Sequence, residues 1–107
     1  MNAEVDKLAQ LRGLCGGPRD GALLRVSIAN VLLTRAERAM AIEELRAALR
    51  FDPDYSAAWK LLGKTLAETD DADAAREAYR AGIATAIRRG DKQAEKEMAV
   101  FLRRLER

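Results

Sequence analysis

A chain of 107 residues, 49% apolar and 34% charged, has the composition of one soluble folded domain, long enough to bury a core without covalent staples and too apolar for a disordered tail. Its 19 basic and 17 acidic side chains leave a formal charge of +2, too balanced to attract nucleic acid through bulk charge alone. A single cysteine, Cys15, and no histidine rule out an internal disulfide, a zinc site or a Cys–His catalytic pair built from one chain. No apolar run approaches a membrane span. The opening MNAEVDKLAQLRG is acidic early and lacks the basic-then-apolar order of a secretory leader, so a cytoplasmic location is expected by default.

In chain order, residues 4–12 read as a short amphipathic helix with Val5, Leu8 and Leu11 inward. Gly13 and then Gly16-Gly17-Pro18 end it and form a hinge. Asp20 is positioned to cap a helix bearing Leu23, Leu24, Ile28, Leu32 and Leu33. Thr34-Arg35-Ala36-Glu37 has no glycine or proline. A turn is still expected there, because one helix of about 30 residues would be far from base rates in a small domain and would leave two apolar stripes without a common partner. The next helix carries Met40, Ala41, Leu45, Ala48 and Leu49 and stops at Asp52-Pro53, since the residue before proline is pushed out of the α region.

The second half repeats this plan. Asp54 is a candidate N-cap for a helix striped with Trp59, Leu62, Gly63 and Leu66, and Thr69-Asp70-Asp71 reads as a turn. A further helix places Ala75, Tyr79, Gly82, Ile83, Ala86 and Ile87 on one side, with Asp73–Arg76 and Glu77–Arg80 as i,i+3 pairs on its wet face. Arg88 and Arg89 face the helix dipole ahead of Gly90, a conventional C-terminal end. Asp91 then caps a last helix with Ala94, Met98, Phe101, Leu102 and Leu105 on one face. Lys92, Lys96, Glu97, Arg103 and Arg104 lie on the other.

Slid against itself by 34 residues, the chain places Ile28-Ala29 on Leu62-Gly63, Leu32 on Leu66, Ala41 on Ala75, Leu45 on Tyr79 and Ala48 on Gly82. Trp59, Leu62-Gly63 and Leu66, followed by Ala75 and Tyr79, resemble the tetratricopeptide pattern of Trp, Leu-Gly, an apolar residue, Ala and an aromatic; Ala41, Leu45, Ala48 and Pro53 match its second half in the earlier unit. The chain thus resembles the tetratricopeptide-repeat (TPR) family, in its small bacterial form with two repeats and a terminal helix. The resemblance covers roughly residues 22 to 89. It implies an all-α superhelix in one domain, with an N-terminal helix and Gly hinge over 1–17, hairpins over 22–55 and 56–89, and a capping helix over 91–107. Departures are Arg25 where a large apolar residue is usual, Leu45 for the aromatic, Gly82 for alanine, Ile87 for proline, and the turn at 35–37. Such hairpins cannot bury their apolar faces alone. Small residues at Ala29, Ala41, Ala48, Gly63 and Ala75 let helix backbones approach, while Trp59 and Tyr79 fill the space beside them.

Enzyme chemistry finds little footing. The carboxylate pairs Glu43-Glu44 and Asp70-Asp71 fall on a solvated face and a turn, Cys15 has no activating histidine, and Gly16-Gly17 is too short for a phosphate loop. No cofactor is implied. The resemblance instead points to the inner face of each hairpin's first helix: Leu23, Val26, Asn30, Leu33 and Thr34 in the first repeat, and Ala57, Lys60, Lys64, Ala67 and Glu68 in the second. Family members that grip a terminal carboxylate use lysine and asparagine at such positions. Asn30 and Lys64 fit, whereas Val26 stands where a clamp lysine is expected and a third repeat is lacking. The expected function is therefore a non-enzymatic protein-interaction module that binds a peptide or helix in the concave groove these positions line, the partner being a protein or peptide, acidic or amphipathic. The alternative is a structural subunit that pairs with a second copy as a homodimer. Nucleic-acid binding through Arg88, Arg89, Lys92, Lys96, Arg103 and Arg104 ranks last, because no aromatics interleave with those charges.

Overall fold

The computed structural model describes residues 3–106, with side chains from residue 7 onward, so Val5 lies outside the described side chains. Among the described residues six helices follow one another: α1 (Ala3–Arg12), α2 (Ala22–Thr34), α3 (Arg38–Phe51), α4 (Ser56–Glu68), α5 (Ala72–Arg89) and α6 (Lys92–Leu105). No strand occurs among the described residues. The helices form two compact units, residues 1–53 with α1 to α3 and residues 54–107 with α4 to α6.

In the first unit α2 packs along α3, and α1 lies against α2. α2 is apolar around most of its circumference, and Leu24, Val26, Ile28, Ala29, Val31 and Leu32 are all buried. α3 presents a single stripe of Ala41, Leu45, Ala48 and Leu49, whereas Met40, expected on that stripe, is 44% exposed. Asp52 has the extended backbone (φ −142°, ψ 92°) that Pro53 demands, and it ends α3 as expected.

In the second unit α5 packs against both α4 and α6, and α6 also touches α4. Its core holds Tyr79, Ala86 and Met98, with Trp59, Ile83, Phe101, Leu102 and Leu105 packed around them. Trp59 therefore works mainly as packing, although it remains half-buried. Two glycines set the helix spacing. A Cβ on Gly63 would stand 2.6 Å from the Tyr79 ring, and one on Gly82 would stand 2.8 Å from Cβ of Trp59 and collide with Sδ of Met98. Ile87 was expected on the inner side of α5 but is 56% exposed.

The turns of the two hairpins are copies of each other. Ala36 (φ 58°) and Asp70 (φ 60°), 34 residues apart, both adopt the left-handed conformation. Glu37 N–H donates to the Leu32 carbonyl, and Asp71 N–H donates to that of Leu66, both at 3.0 Å. Gly90 (φ 70°) closes α5 in the same way, with Asp91 N–H donating to the Ala86 carbonyl at 2.8 Å. These are the six-to-one bonds of a Schellman stop, which satisfies helix-end carbonyls whatever residue holds the left-handed position. The first hairpin thus turns without a glycine, and α2 and α3 are separate helices.

Capping corrects two expectations. Asp71 and Asp91 cap α5 and α6 by accepting from the N–H groups of Ala74 and Ala94. Asp20 and Asp54 each stand one residue before the N-cap position: Gly21 and Tyr55 hold those positions in α2 and α4, without side-chain bonds of their own. Both carboxylates have arginine partners, Arg25 for Asp20 and Arg88 for Asp54 at 2.8 Å, charge-assisted bonds that are stronger than those between neutral groups. On the wet face of α5 the Asp73–Arg76 pair forms, while Arg80 pairs with Glu106 at 3.2 Å.

Ala36 carries a Cβ in a conformation that costs an L-residue about 1–2 kcal/mol, more than the extra chain entropy a glycine loses there. Ala36→Gly is expected to raise stability by about 0.5–1 kcal/mol, read as a higher urea midpoint at unchanged slope. A lower midpoint would show that the turn does not strain this residue.

Candidate binding surfaces

Arg25 stands where the second repeat has Trp59, and ionic contacts replace the indole. Its Nε and Nη2 donate to the two Asp20 carboxylate oxygens at 2.9 Å each. Nη1 reaches Glu44 at 3.3 Å, and the guanidinium lies 5.9 Å from the centre of the Phe51 ring. Asp20 also accepts from Gly16 N–H at 2.8 Å, which ties the glycine-rich connection after α1 to α2. The fork of Arg25, then the Gly16 amide, hold the Asp20 carboxyl well below the usual carboxylate range. The Asp20 side chain is only 9% accessible, so this network is a covered structural joint.

The residues expected to line a binding face in the first unit divide. Leu23 is 71% exposed and Asn30 is exposed, but Leu33 is half-buried and Val26, at 9%, belongs to the core. Asn30 shares a 390 Å³ cleft between α1 and α2 with Lys7, Leu11, Ser27, Val31 and Thr34. Thus α1 flanks the α2 face that holds Asn30.

In the second unit Ala57 is exposed. Lys60 is half-buried, and its ammonium meets Glu97 of α6 at 3.4 Å. Lys64, one turn further along α4, is exposed and makes no ion pair among the described residues. It stands on the rim of a 490 Å³ cleft walled by α4, α5 and α6, with Ala67, Tyr79, Phe101 and Leu105 as its apolar surface and Glu68 and Arg104 beside Lys64. The rings of Tyr79 and Phe101 stack with centroids 5.7 Å apart, and Arg104 lies over Phe101 at 5.6 Å. The sequence places Phe101 and Leu105 on the buried face of the capping helix and Arg104 on its polar face, among the candidates for nucleic-acid contact and not for this cleft. Their i,i+3,i+4 spacing was visible, but the approach of α6 to α4 was not.

The basic residues near the C-terminus do not form one free surface: Arg88 binds Asp54, Lys92 pairs with Glu95, and Arg104 covers Phe101. Among the described residues no group of three or more metal-ligating side chains is assembled, and no helix is long and apolar enough to cross a membrane.

Helical hairpins repeated every 34 residues, with a further helix packed on the last one, define a helical-repeat protein. Known proteins narrow the class. Over 88 residues the chain is 49% identical to the TPR repeat-containing protein PA0015 of Pseudomonas aeruginosa, a match covering 82% of this chain and 84% of that protein. The solution structure of protein BPP2914 from Bordetella parapertussis superposes with a TM-score of 0.81 at 42% identity, covering 99% of this chain and 90% of that one. A solution structure of a tetratricopeptide repeat domain protein from Salinibacter ruber gives 0.76 at 26% identity, over 83% and 89% of the two chains. No family model matches the chain. On the strength of the first relative, the chain belongs to the tetratricopeptide-repeat family. That membership supports a general role in protein–protein interaction or scaffolding.

Burial, with a smaller contribution from the Glu68 carboxylate, pushes the Tyr79 phenol from 10.0 up to about 12. The fold therefore favours the neutral phenol. Its contribution to stability is complete below pH 10 and is lost as the pH rises toward about 12. Denaturant titrations across this window are expected to show wild-type stability falling more steeply than that of Tyr79→Phe. Parallel decline of the two would contradict the assignment.

Proposed function

We propose that the chain is an interaction module that docks a helix or extended segment of a partner protein, with candidate contacts on the exposed faces of α2 and of α4, the first helices of its two hairpins. Family membership supports the class of function. The observation that carries the finer reading is the exposed, unpaired Lys64 at the mouth of an apolar cleft, a combination that suits an acidic or amphipathic segment. Asn30, exposed on α2, is the matching polar contact of the first unit. Lys60 plays a smaller part, because Glu97 already holds its ammonium.

Self-association is the second reading, and the large apolar side chains at the surface favour it: Leu23 at 71%, Phe51 at 53% and Ile87 at 56% exposure. Light scattering separates the two. A concentration-independent monomer mass is expected for the docking module, and a stable dimer for the alternative.

The docking reading is tested with a Lys64→Glu/Asn30→Asp variant, which touches no ion pair and is expected to keep the wild-type melting temperature. Used as bait beside the wild type in affinity capture from the native cell, it should lose its partner by about tenfold or more, about 1.4 kcal/mol of binding. Equal recovery by both baits would remove these two faces from the account.

A further inference from the structure

The cleft among α4, α5 and α6 combines an apolar wall with cations at its mouth, and we propose that it anchors one large apolar side chain of a partner peptide with carboxylates on its flanks. The inference rests on the docking reading above and narrows it to one site and one chemistry. The apolar surface is built from Tyr79, Phe101, Leu105 and Ala67, and a volume of 490 Å³ lies within the range of pockets that bury small ligands. It is also held open by structure. Tyr79 is only 2% exposed and lies against Gly63. The end of α6 is tied to α5 by Arg76 Nη1 donating to the Leu105 carbonyl at 3.1 Å and by the Arg80–Glu106 pair. Such a wall needs little ordering when a ligand arrives, so less of the binding free energy is spent on rearrangement.

Charge selects the flanks. Lys64 and Arg104 stand at the mouth, and neither makes an ion pair among the described residues. Arg104 lies over the Phe101 ring, a stacked position from which its N–H groups can donate to a carboxylate. Glu68 also lines the cleft, and it opposes an acidic ligand. It is engaged in an interaction of its own and sits beside two cations, so the mouth carries a net positive charge. Apolar depth with a cationic lip matches a phenylalanine or leucine bracketed by aspartate or glutamate.

The test uses two synthetic probes, acetyl-Glu-Asp-Phe-Leu-Glu-amide and its neutral counterpart acetyl-Gln-Asn-Phe-Leu-Gln-amide, titrated into the full chain while amide shifts are followed. The acidic probe is expected to shift Lys64, Ala67, Phe101, Arg104 and Leu105 and to bind about fivefold more tightly than the neutral one, the size of two partly exposed ion pairs. Raised salt should close that gap. Ala67→Leu, which fills the cleft and leaves both cations in place, should abolish the shifts. Arg104→Glu should reduce the acidic probe to the affinity of the neutral one. Equal affinity for the two probes, unchanged binding by Ala67→Leu, or no shift at the cleft overturns the proposal. Loss of the cellular partner by Lys64→Glu/Asn30→Asp but not by Ala67→Leu would keep the docking reading while removing this anchor.

Discussion

The second unit depends on a missing atom. Because Gly63 has no Cβ, the Tyr79 ring lies against the backbone of α4 at a distance no other residue would permit. The same ring stacks on Phe101 of α6 and sits beside Met98 and Ala86 in the core. A single close approach therefore links three helices. Gly82, one turn along α5, repeats the device against Trp59 and Met98. Both glycines sit inside helices, where each costs about 1 kcal/mol relative to alanine. Their presence is explained by volume, since the aromatic rings occupy the space that Cβ atoms would take.

The first unit solves the same problem with different chemistry. At the positions of Gly63, Tyr79 and Gly82 it has Ala29, Leu45 and Ala48, all fully buried. Smaller side chains opposite slightly larger spacers suit a hairpin that has leucine where the second has Tyr79. The position of Trp59 is taken by Arg25, whose alkyl stem and guanidinium connect Asp20, Glu44 and the Phe51 ring. An indole packs on whatever surrounds it, whereas a guanidinium requires particular carboxylates in particular places. The network consequently does more than fill space. Through Asp20 and the Gly16 amide it sets the direction in which the chain enters α2.

Much of the fold was legible from period alone. The 34-residue offset and the helical stripes located α2 to α6, and the change of stripe between Leu33 and Met40 located a turn that lacks the usual turn residues. That turn works because a Schellman stop is a pattern of backbone bonds, which Ala36 can complete at some cost in strain. Caps were less legible. Asp20 and Asp54 precede helices as a capping residue should, but each is claimed by an arginine, Arg25 from within α2 and Arg88 from 34 residues away. The candidate binding face was legible in part. Asn30 and Lys64 are exposed, as their positions on α2 and α4 suggested, while Val26 is buried and Lys60 is tied to Glu97. The cleft is not legible in the sequence, because it depends on where α6 lies against α4. An amphipathic helix announces which face it buries and is silent about its partner.

The central claim is that glycine at 63 and the ring at 79 are one packing unit. A double-mutant cycle in urea tests it most directly. Gly63→Ala alone gains about 1 kcal/mol of helix propensity but drives a methyl into the ring, and a net loss of about 1–2 kcal/mol is expected. In a Tyr79→Leu background, which restores the Ala–Leu combination of the first hairpin, the same Gly63→Ala change should be neutral or stabilising, for a coupling of at least about 1 kcal/mol. Equal effects of Gly63→Ala in both backgrounds would contradict the account.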